Sequence, residues 1–260
     1  MPVALAHNVI EGPEDSDTVI LLGSLGSDRS MWNPQIAALA TVATVIPVDV
    51  RGHGGSPTPA GPYTISELGN DVTALLDTLG VLRPHVVGLS LGGAIAQWLA
   101  IHRPQRVATL TLLCTAAQFG DPAKWTARAA AVRRDGLSSI ADSIVARWFT
   151  PELAQREPDV VRRALRMIDR VTDEGYAACC EALAQWDSHP DLAFITAPTL
   201  IVAGEQDSAT PPVVMSRLVT GIPGAKVEVL SPAAHVANIE QSEAVSRLLV
   251  DHICVKPTAG

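Results

Sequence analysis

One serine in this 260-residue sequence stands in a pattern that suits a nucleophile. Ser90 lies within Gly88-Leu-Ser-Leu-Gly92, which follows a β-rich apolar run and precedes a helical pattern. Gly-x-Ser-x-Gly between a strand and a helix is typical of a sharp turn that exposes a serine, and its glycines remove side chains that would collide there. A glycine-rich turn or phosphate loop is the alternative interpretation. The context favours Ser90 as a nucleophile.

A serine hydroxyl is a weak nucleophile at neutral pH, so Ser90 needs a base, and the base needs an orienting acid. His235 and His252 follow the helical middle of the chain, and His235 comes soon after a β-rich run. Glu205 and Asp207 follow the preceding run, and both are possible acids. Asp207 is better placed because it has more chain with which to cross the sheet edge. A surface histidine and a helix-capping aspartate are the alternatives.

The intermediate of acyl transfer needs two backbone N–H groups that stabilise its oxyanion. The residue after the nucleophile, Leu91, would supply one of them. The loop of residues 22–32 follows the first β-rich run, and we assign the second donor to Leu25 in this loop. A tight turn after the second run contains Asp49, Arg51 and His53, which we interpret as structural.

The elements that must position these residues are predicted by an alternation of short β-rich runs with helical patterns. In residues 65–79 the apolar positions recur at spacings of three, four and seven, which predicts a helix with one buried face. Such alternation predicts a mostly parallel sheet with helices on both faces. The β-rich runs are residues 18–22, 42–48, 85–89, 107–114, 199–203 and 227–230.

The alternation stops between residues 119 and 190, where no β-rich run occurs. Four helical patterns follow one another there: residues 125–134, 136–149, 159–171 and 175–186. We therefore predict a core of residues 1–118 and 191–260 and a helical cap of residues 119–190. Such an insertion commonly lies over the carboxyl ends of the strands, where α/β sheets bind ligands.

Composition and charge limit the partners and the cellular location that we expect for this protein. The formal net charge of −8 disfavours nucleic acid and anionic membranes as partners. No segment has the length of a membrane span, and the first residues do not have the pattern of a secretion signal. The cysteines have no metal-ligand spacing, and there is no dinucleotide-binding fingerprint, so we expect no metal, no cofactor and a cytoplasmic protein. Nothing in the sequence predicts the oligomeric state.

Five motifs of the chain together resemble those of the α/β-hydrolases over nearly its whole length. They are Ser24-Leu-Gly-Ser, Asp49-x-Arg-Gly-His-Gly, Gly88-Leu-Ser-Leu-Gly-Gly, Gly204-Glu-Gln-Asp and Ala234-His-Val-Ala-Asn-Ile-Glu. Three further motifs resemble those of the 3-oxoadipate enol-lactonases: Pro62-Tyr-Thr-Ile-x-Glu-Leu, Ala146-Arg-Trp-Phe-Thr-Pro and Gly175-Tyr-Ala-Ala-Cys-Cys-Glu-Ala-Leu. The last two lie in the predicted cap, which makes them the more specific part of the resemblance.

The resemblance implies an α/β-hydrolase fold with a helical cap inserted after the sixth strand. It implies a catalytic triad of Ser90, Asp207 and His235, the same residues that order and context favour. The implied reaction is hydrolysis of 3-oxoadipate enol-lactone in aromatic compound catabolism, the β-ketoadipate pathway, without a cofactor. The chain has Gln118 where the resemblance leads us to expect a basic residue.

A substrate of this kind is a small anionic lactone, and its carboxylate calls for a cation in the cap. Arginine suits a carboxylate better than lysine because its planar fork binds both oxygens. Arg128, Arg133, Arg134 and Arg147 are the candidates. The complete predicted set of substrate-binding residues is Ser24, Trp125, Arg128, Arg134, Arg147 and Trp148.

Other functions fit the same residues less specifically. A carboxylesterase or a hydrolase of carbon–carbon bonds would use the same triad on a different acyl group. A binding protein without turnover would keep the fold and the pocket. A dehalogenase or an epoxide hydrolase is disfavoured, because those enzymes have an aspartate at the position of Ser90.

Overall fold

The computed structural model of the protein describes residues 1–254, which form one parallel sheet with helices around it. The order of the strands is β2-β1-β3-β4-β5-β6, and every neighbouring pair is parallel. The strands are β1 (Thr18–Leu22), β2 (Thr44–Val48), β3 (His85–Leu89), β4 (Leu110–Leu113), β5 (Thr199–Gly204) and β6 (Lys226–Leu230). Each predicted run therefore overlaps a strand, and the ends differ by three residues or fewer.

Eleven α-helices are present in this part of the chain. They are α1 (Asn33–Leu39), α2 (Ile65–Thr78), α3 (Leu91–His102), α4 (Pro122–Asp135), α5 (Ala141–Val145), α6 (Pro151–Arg156), α7 (Pro158–Ile168), α8 (Asp173–Ala184), α9 (Pro212–Gly221), α10 (Ala237–Glu240) and α11 (Ser242–Ile253). The predicted helix in residues 65–79 is α2, whose first turn is fixed by reciprocal hydrogen bonds between Thr64 and Glu67.

The strand order explains where a site forms. The chain runs from β1 to β2 on one side and then returns to place β3 on the other side of β1. The loops that leave β1 and β3 therefore diverge to opposite faces of the sheet, which opens a crevice at their carboxyl ends. All five residues of β3 are buried, so the strand is a fixed support for the turn that follows it.

Helices α4 to α8 lie between β4 and β5, so they follow the fourth strand of this sheet. The predicted position after a sixth strand is wrong for the described residues. The N-terminal segment adds no strand before β1, which keeps the number of strands before the helices at four. At the edge formed by β2 it makes only isolated antiparallel bridges, His7 to Val48 and Ile10 to Val45.

This segment contains five α-helices where four were predicted. The helix predicted in residues 136–149 is a 3-10 turn (Leu137–Ile140) followed by the short helix α5, and α6 was not predicted. Helix α4 ends at Gly136, whose φ of 81° breaks the helical path. Thr150 and Pro151 then begin α6, because the threonine hydroxyl caps it and proline suits a first helical position.

No helix within residues 1–254 is both long and apolar enough to cross a membrane. The four cysteines, Cys114, Cys179, Cys180 and Cys254, are free thiols. The end of the predicted core at residue 260 lies outside the described residues.

Candidate active site

Ser90 occupies a strained turn between β3 and α3. Its φ of 56° and ψ of −113° lie outside the common regions for a residue with a side chain. A Cβ at Gly88 would lie 2.2 Å from the carbonyl oxygen of Gly92, and one at Gly92 would lie 2.2 Å from the carbonyl oxygen of Leu22. Both glycines are therefore required, because a side chain at Gly88 would collide with the first turn of α3 and one at Gly92 would collide with the end of β1.

Hydrogen bonds from β4 hold this turn in place. The Ser90 N–H donates to the carbonyl of Leu113 at 3.0 Å, and the Thr115 hydroxyl donates to the carbonyl of Ser90 at 2.8 Å. Strain at a functional residue persists only where neighbouring structure enforces it, and these bonds supply that enforcement. Sequence reasoning did not identify Thr115, whose role depends on the pairing of β3 with β4.

His235 is hydrogen-bonded to Asp207, at 2.8 Å between Nδ1 and Oδ2, and both side chains are buried. A carboxylate only accepts, so Nδ1 carries a proton, and in the neutral ring Nε2 has the lone pair that a base needs. Asp207 also accepts bonds from the N–H of Ala209 and from the N–H and hydroxyl of Thr210. Burial raises the pKa of Asp207, but the charge of His235 and these hydrogen bonds outweigh it, so the net pKa lies below the usual range.

The structure distinguishes these residues from the alternatives. Glu205 is exposed and accepts a hydrogen bond from Ser231, while Asp207 is the carboxylate bonded to His235. His252 lies 3.2 Å from the carbonyl of Leu110, which is the first residue of β4. His252 is therefore at the opposite end of the sheet from Ser90.

A cavity of about 320 Å³ brings the predicted residues together. Ser24, Leu25, Ser90 and His235 line it from the side of the sheet, and helices α4 to α8 and their connections form much of the remaining wall. The predicted residues Trp125, Arg128, Arg147 and Trp148 all belong to that wall, as do Lys124 and Tyr176, which sequence reasoning did not identify.

Two backbone N–H groups beside Ser90 are available to a ligand. Leu91 is the first residue of α3, where an N–H has no partner inside the helix. Within the described part of the chain, neither the Leu91 nor the Leu25 N–H donates a hydrogen bond to the protein. Both groups suit the oxyanion, and the N-terminal end of α3 adds a positive potential at Ser90.

Two of the four candidate arginines reach the cavity. The Arg128 guanidinium stacks 4.8 Å from the centre of the Trp125 ring. Arg147 is half-buried, and burial together with the nearby charge of Arg128 lowers its pKa. Among the described residues, neither arginine forms an ion pair with a carboxylate. Asp121 also lines the cavity, but its carboxylate accepts a hydrogen bond from the Ala123 N–H and pairs with neither arginine. The two close positive charges therefore favour an anion.

The other two arginines lie elsewhere. Arg133 forms ion pairs with Glu174 and Glu181 on α8. Arg134 has a side chain that is 69% exposed and pairs with Asp135. The structure therefore corrects the prediction that Arg134 belongs to the substrate-binding set, because its side chain points to solvent and does not line the cavity.

The groups that meet at the site come from the side of the sheet and from the wall formed by helices α4 to α8. No cluster of three or more histidine, cysteine, aspartate or glutamate side chains within residues 1–254 has the arrangement of a metal site. The site combines a hydroxyl on a strained turn, a histidine oriented by a carboxylate, two free N–H groups and the cationic side chains of Lys124, Arg128 and Arg147. This combination suits acyl transfer from a small anionic ester.

Comparisons with known proteins agree with this geometry. The chain is 43% identical to 3-oxoadipate enol-lactonase 2 of Acinetobacter baylyi, over 90% of this chain and 87% of that protein. It is 37% identical to the enol-lactonase from Burkholderia xenovorans LB400, whose crystal structure matches with a TM-score of 0.93 over 97% of this chain and 99% of that one.

A second solved structure is a thermophilic esterase from Thermogutta terrifontis with malate bound. It is 29% identical, with a TM-score of 0.90 over 96% of this chain and 92% of that one. A family model described as alpha/beta hydrolase fold matches residues 17–242. The chain belongs to the α/β-hydrolase family.

Proposed function

We propose that the protein hydrolyses 3-oxoadipate enol-lactone to 3-oxoadipate in the catabolism of aromatic compounds. The observation that carries the proposal is the cavity that joins Ser90 and His235 to Arg128 and Arg147, because it offers a nucleophile and an anion site within one small volume. The identity of 43% to an enol-lactonase over most of both chains supports this substrate.

The first half of the reaction opens the ring. Nε2 of His235 takes the proton of Ser90 as the serine oxygen attacks the lactone carbonyl. The N–H groups of Leu25 and Leu91 stabilise the resulting oxyanion. When the carbonyl reforms, the bond to the ring oxygen breaks, and the enol oxygen leaves with its electron pair. An enolate is a good leaving group, so protonation by the imidazolium matters less than it does for an amide.

The second half releases the acid. The imidazolium of His235 gives its proton to the departing enolate oxygen and becomes neutral again. The resulting enol tautomerises to the 3-oxo form while the acyl group remains on Ser90. His235 then takes a proton from water, and the water oxygen attacks the acyl carbon. Collapse of this second oxyanion breaks the bond to Ser90, which recovers its proton from His235. The products of the cycle are 3-oxoadipate and the regenerated enzyme.

The substrate carboxylate would bind between Arg128 and Arg147. An anion there neutralises two positive charges that lie close together and are partly removed from water, so it gains more than it would from an exposed arginine. The stacking of Arg128 on Trp125 fixes the plane of its guanidinium, which supports a directed contact.

Residues 119–190 would act as a cap on a core of residues 1–118 and 191–260. Trp148 and Tyr176 belong to this segment and line the cavity with Ser90. The Val236 N–H donates to the Trp148 carbonyl, which ties the cap to the loop of His235. A cap that lines the cavity with Ser90 and is bonded to the loop of His235 would exclude water while the lactone reacts.

We also propose a cytoplasmic location. Four free cysteines, three of them buried, support a reducing compartment.

The test of the function is turnover of the enol-lactone followed by NMR. We expect a 3-oxo acid as product and a higher kcat/KM for the lactone than for p-nitrophenyl acetate. Turnover of p-nitrophenyl acetate without turnover of the lactone would favour a general esterase. Binding of the lactone without turnover of either compound would instead favour a non-catalytic protein.

Replacement of Arg147 with methionine tests the carboxylate site. We expect KM for the lactone to rise about 10- to 100-fold, because a hydrogen bond to a charged group contributes about 1.5–3 kcal/mol. Steady-state kinetics should show KM for p-nitrophenyl acetate unchanged within about threefold, since that ester has no carboxylate to lose a contact. Arg134→Met is the matched control, because Arg134 is exposed and away from the cavity. Equal effects of the two substitutions would contradict the assignment.

A further inference from the structure

His53 is a buried histidine that contacts the loop of Leu25. It belongs to the tight turn after β2, which sequence reasoning interpreted as structural. Its Nε2 accepts a hydrogen bond from the N–H of Gly26 at 3.0 Å, and its Nδ1 lies 3.1 Å from the carbonyl oxygen of Arg51. Gly26 directly follows Leu25, so His53 contacts the loop one residue from the assigned oxyanion donor.

The two hydrogen bonds require an uncharged ring with its proton on Nδ1. Burial lowers the pKa of His53 to about 4, although the Arg51 carbonyl and the charges of Asp49 and Asp28 act in the opposite direction. At neutral pH the Nδ1–H therefore donates to the Arg51 carbonyl, and the lone pair of Nε2 accepts from Gly26.

The peptide groups on both sides of Leu25 are held by hydrogen bonds. The carbonyl oxygen of Ser24 accepts from the N–H of Ser27 at 3.1 Å and from its hydroxyl at 2.8 Å. The Leu25 N–H belongs to the same planar trans peptide, so it points away from that carbonyl. The next peptide is fixed through the bond from Gly26 to His53. The direction of the Leu25 N–H is thus set by one anchor before it and one after it.

The second anchor depends on His53 because Gly26 has no side chain to offer. Its φ of 87° favours glycine, and a Cβ there would lie 3.5 Å from the ring of Tyr176 and 3.6 Å from that of Trp148. The residue is therefore packed beneath the aromatic wall of the cavity, where its N–H cannot turn to water. Without an acceptor this buried N–H would favour another loop conformation.

We propose that His53 is a positioning residue that aims the Leu25 N–H at the oxyanion. It does not touch the substrate, and its effect passes through the Gly26 amide to the neighbouring peptide. The inference rests on the proposed Ser90 chemistry, but it does not depend on which ester is hydrolysed, because every acyl substrate forms the same oxyanion.

The test compares His53→Phe, which removes the acceptor, with His53→Gln, whose amide oxygen can accept from Gly26. For the phenylalanine variant we expect kcat to fall about 10- to 100-fold, less than the 10²- to 10³-fold that accompanies loss of an oxyanion donor. KM should stay within about twofold, because Arg128 and Arg147 are untouched, and glutamine should restore most of kcat. The factor should be the same for the enol-lactone and for p-nitrophenyl acetate.

His85→Phe is the matched control. His85 is also a buried histidine with a hydrogen bond, to the Thr109 hydroxyl at 2.9 Å, but it stands at the first residue of β3, five residues before Ser90. We expect this variant to be less stable without a loss of kcat per folded molecule. A wild-type kcat in His53→Phe, or equal losses in both variants, would overturn the proposal.

Phenylboronic acid separates this proposal from the proposed substrate. Its boron accepts the oxygen of Ser90 as the serine proton moves to His235, and the anionic adduct places an oxygen at the Leu25 and Leu91 amides. We expect its Kd to rise in His53→Phe by about the same factor as kcat falls, and an unchanged Kd would overturn the inference even if no ester is turned over. If the phenylalanine variant does not fold, His53→Asn replaces it, because its shorter side chain can reach Arg51 but not Gly26.

Discussion

Replacement of Ser90 with alanine is expected to lower kcat/KM for the enol-lactone by about 10⁵-fold or more. The hydroxyl supplies the atom that forms the acyl bond, and an alanine side chain has no group that can form it. The remaining activity would come from water that reacts within the oxyanion site. Steady-state or single-turnover kinetics with purified variant protein measure this loss.

The same variant should still fold and bind. Alanine meets the same conflict at φ 56° as serine, and the bonds from the turn to Leu113 and Thr115 involve only the backbone of Ser90. We therefore expect a Tm close to that of the wild type and a Kd for the lactone near its KM. Ser188→Ala is the matched control, because Ser188 is buried with a hydrogen bond to Gln97 and does not line the cavity. Full hydrolysis by the Ser90 variant would exclude the serine mechanism.

Local patterns in the sequence carried most of the information about the core. The strand β3 and the turn at Ser90 could be predicted because a buried strand, two glycines and a helix follow one another within a few residues. The order of elements then placed His235 and Asp207 at the same sheet edge, since the carboxyl ends of parallel strands share that edge. The sequence also favoured Asp207 over Glu205 as the acid, and the turn in the structure brings Asp207 to His235 while Glu205 bonds to Ser231.

The arginines of the cap show what local patterns in the sequence could not predict. Arg128 and Arg133 lie on the same helix α4, five positions apart, so they point in different directions. Arg133 meets two glutamates on α8 that are more than 40 residues away along the chain, and Arg128 turns to the cavity. A sequence pattern does not reveal which face of α4 meets α8, and the predicted substrate-binding set therefore included the exposed Arg134 as well as Arg128.

Thr115 and His53 are further examples. Each makes a hydrogen bond to a residue at least 25 positions away in the chain, which only tertiary structure brings near, and their residue types are common in loops. The resemblance to known hydrolases covered the motif around His53 but did not indicate its partner. The bond to Gly26 depends on how the loops after β1 and β2 pack, which no local pattern encodes.

Replacement of Asp207 with asparagine is expected to lower kcat by about 10⁴-fold with little change in KM. The asparagine side chain can present an N–H to Nδ1 of His235, which favours the tautomer with its proton on Nε2. That tautomer has no lone pair for the proton of Ser90, so the base is lost while the shape of the cavity is kept. Glu205→Gln is the matched control. Glu205 lies in the same loop as Asp207, but its carboxylate accepts a hydrogen bond from Ser231 and not from His235.

The pH dependence of stability gives a second readout on Asp207. Burial raises the pKa of Asp207 in the folded protein, but His235 and Thr210 lower it by more, so the net pKa is lowered. An aspartate in the unfolded chain titrates at about pH 3.9. The ionised carboxylate therefore stabilises the fold fully above about pH 4, and this stabilisation is lost as the pH falls through the lower folded-state pKa. Thermal unfolding should show the Tm of the wild type falling towards that of Asp207→Asn below about pH 4. A Tm difference independent of pH, together with wild-type kcat, would mean that Asp207 only caps its own turn and does not orient His235.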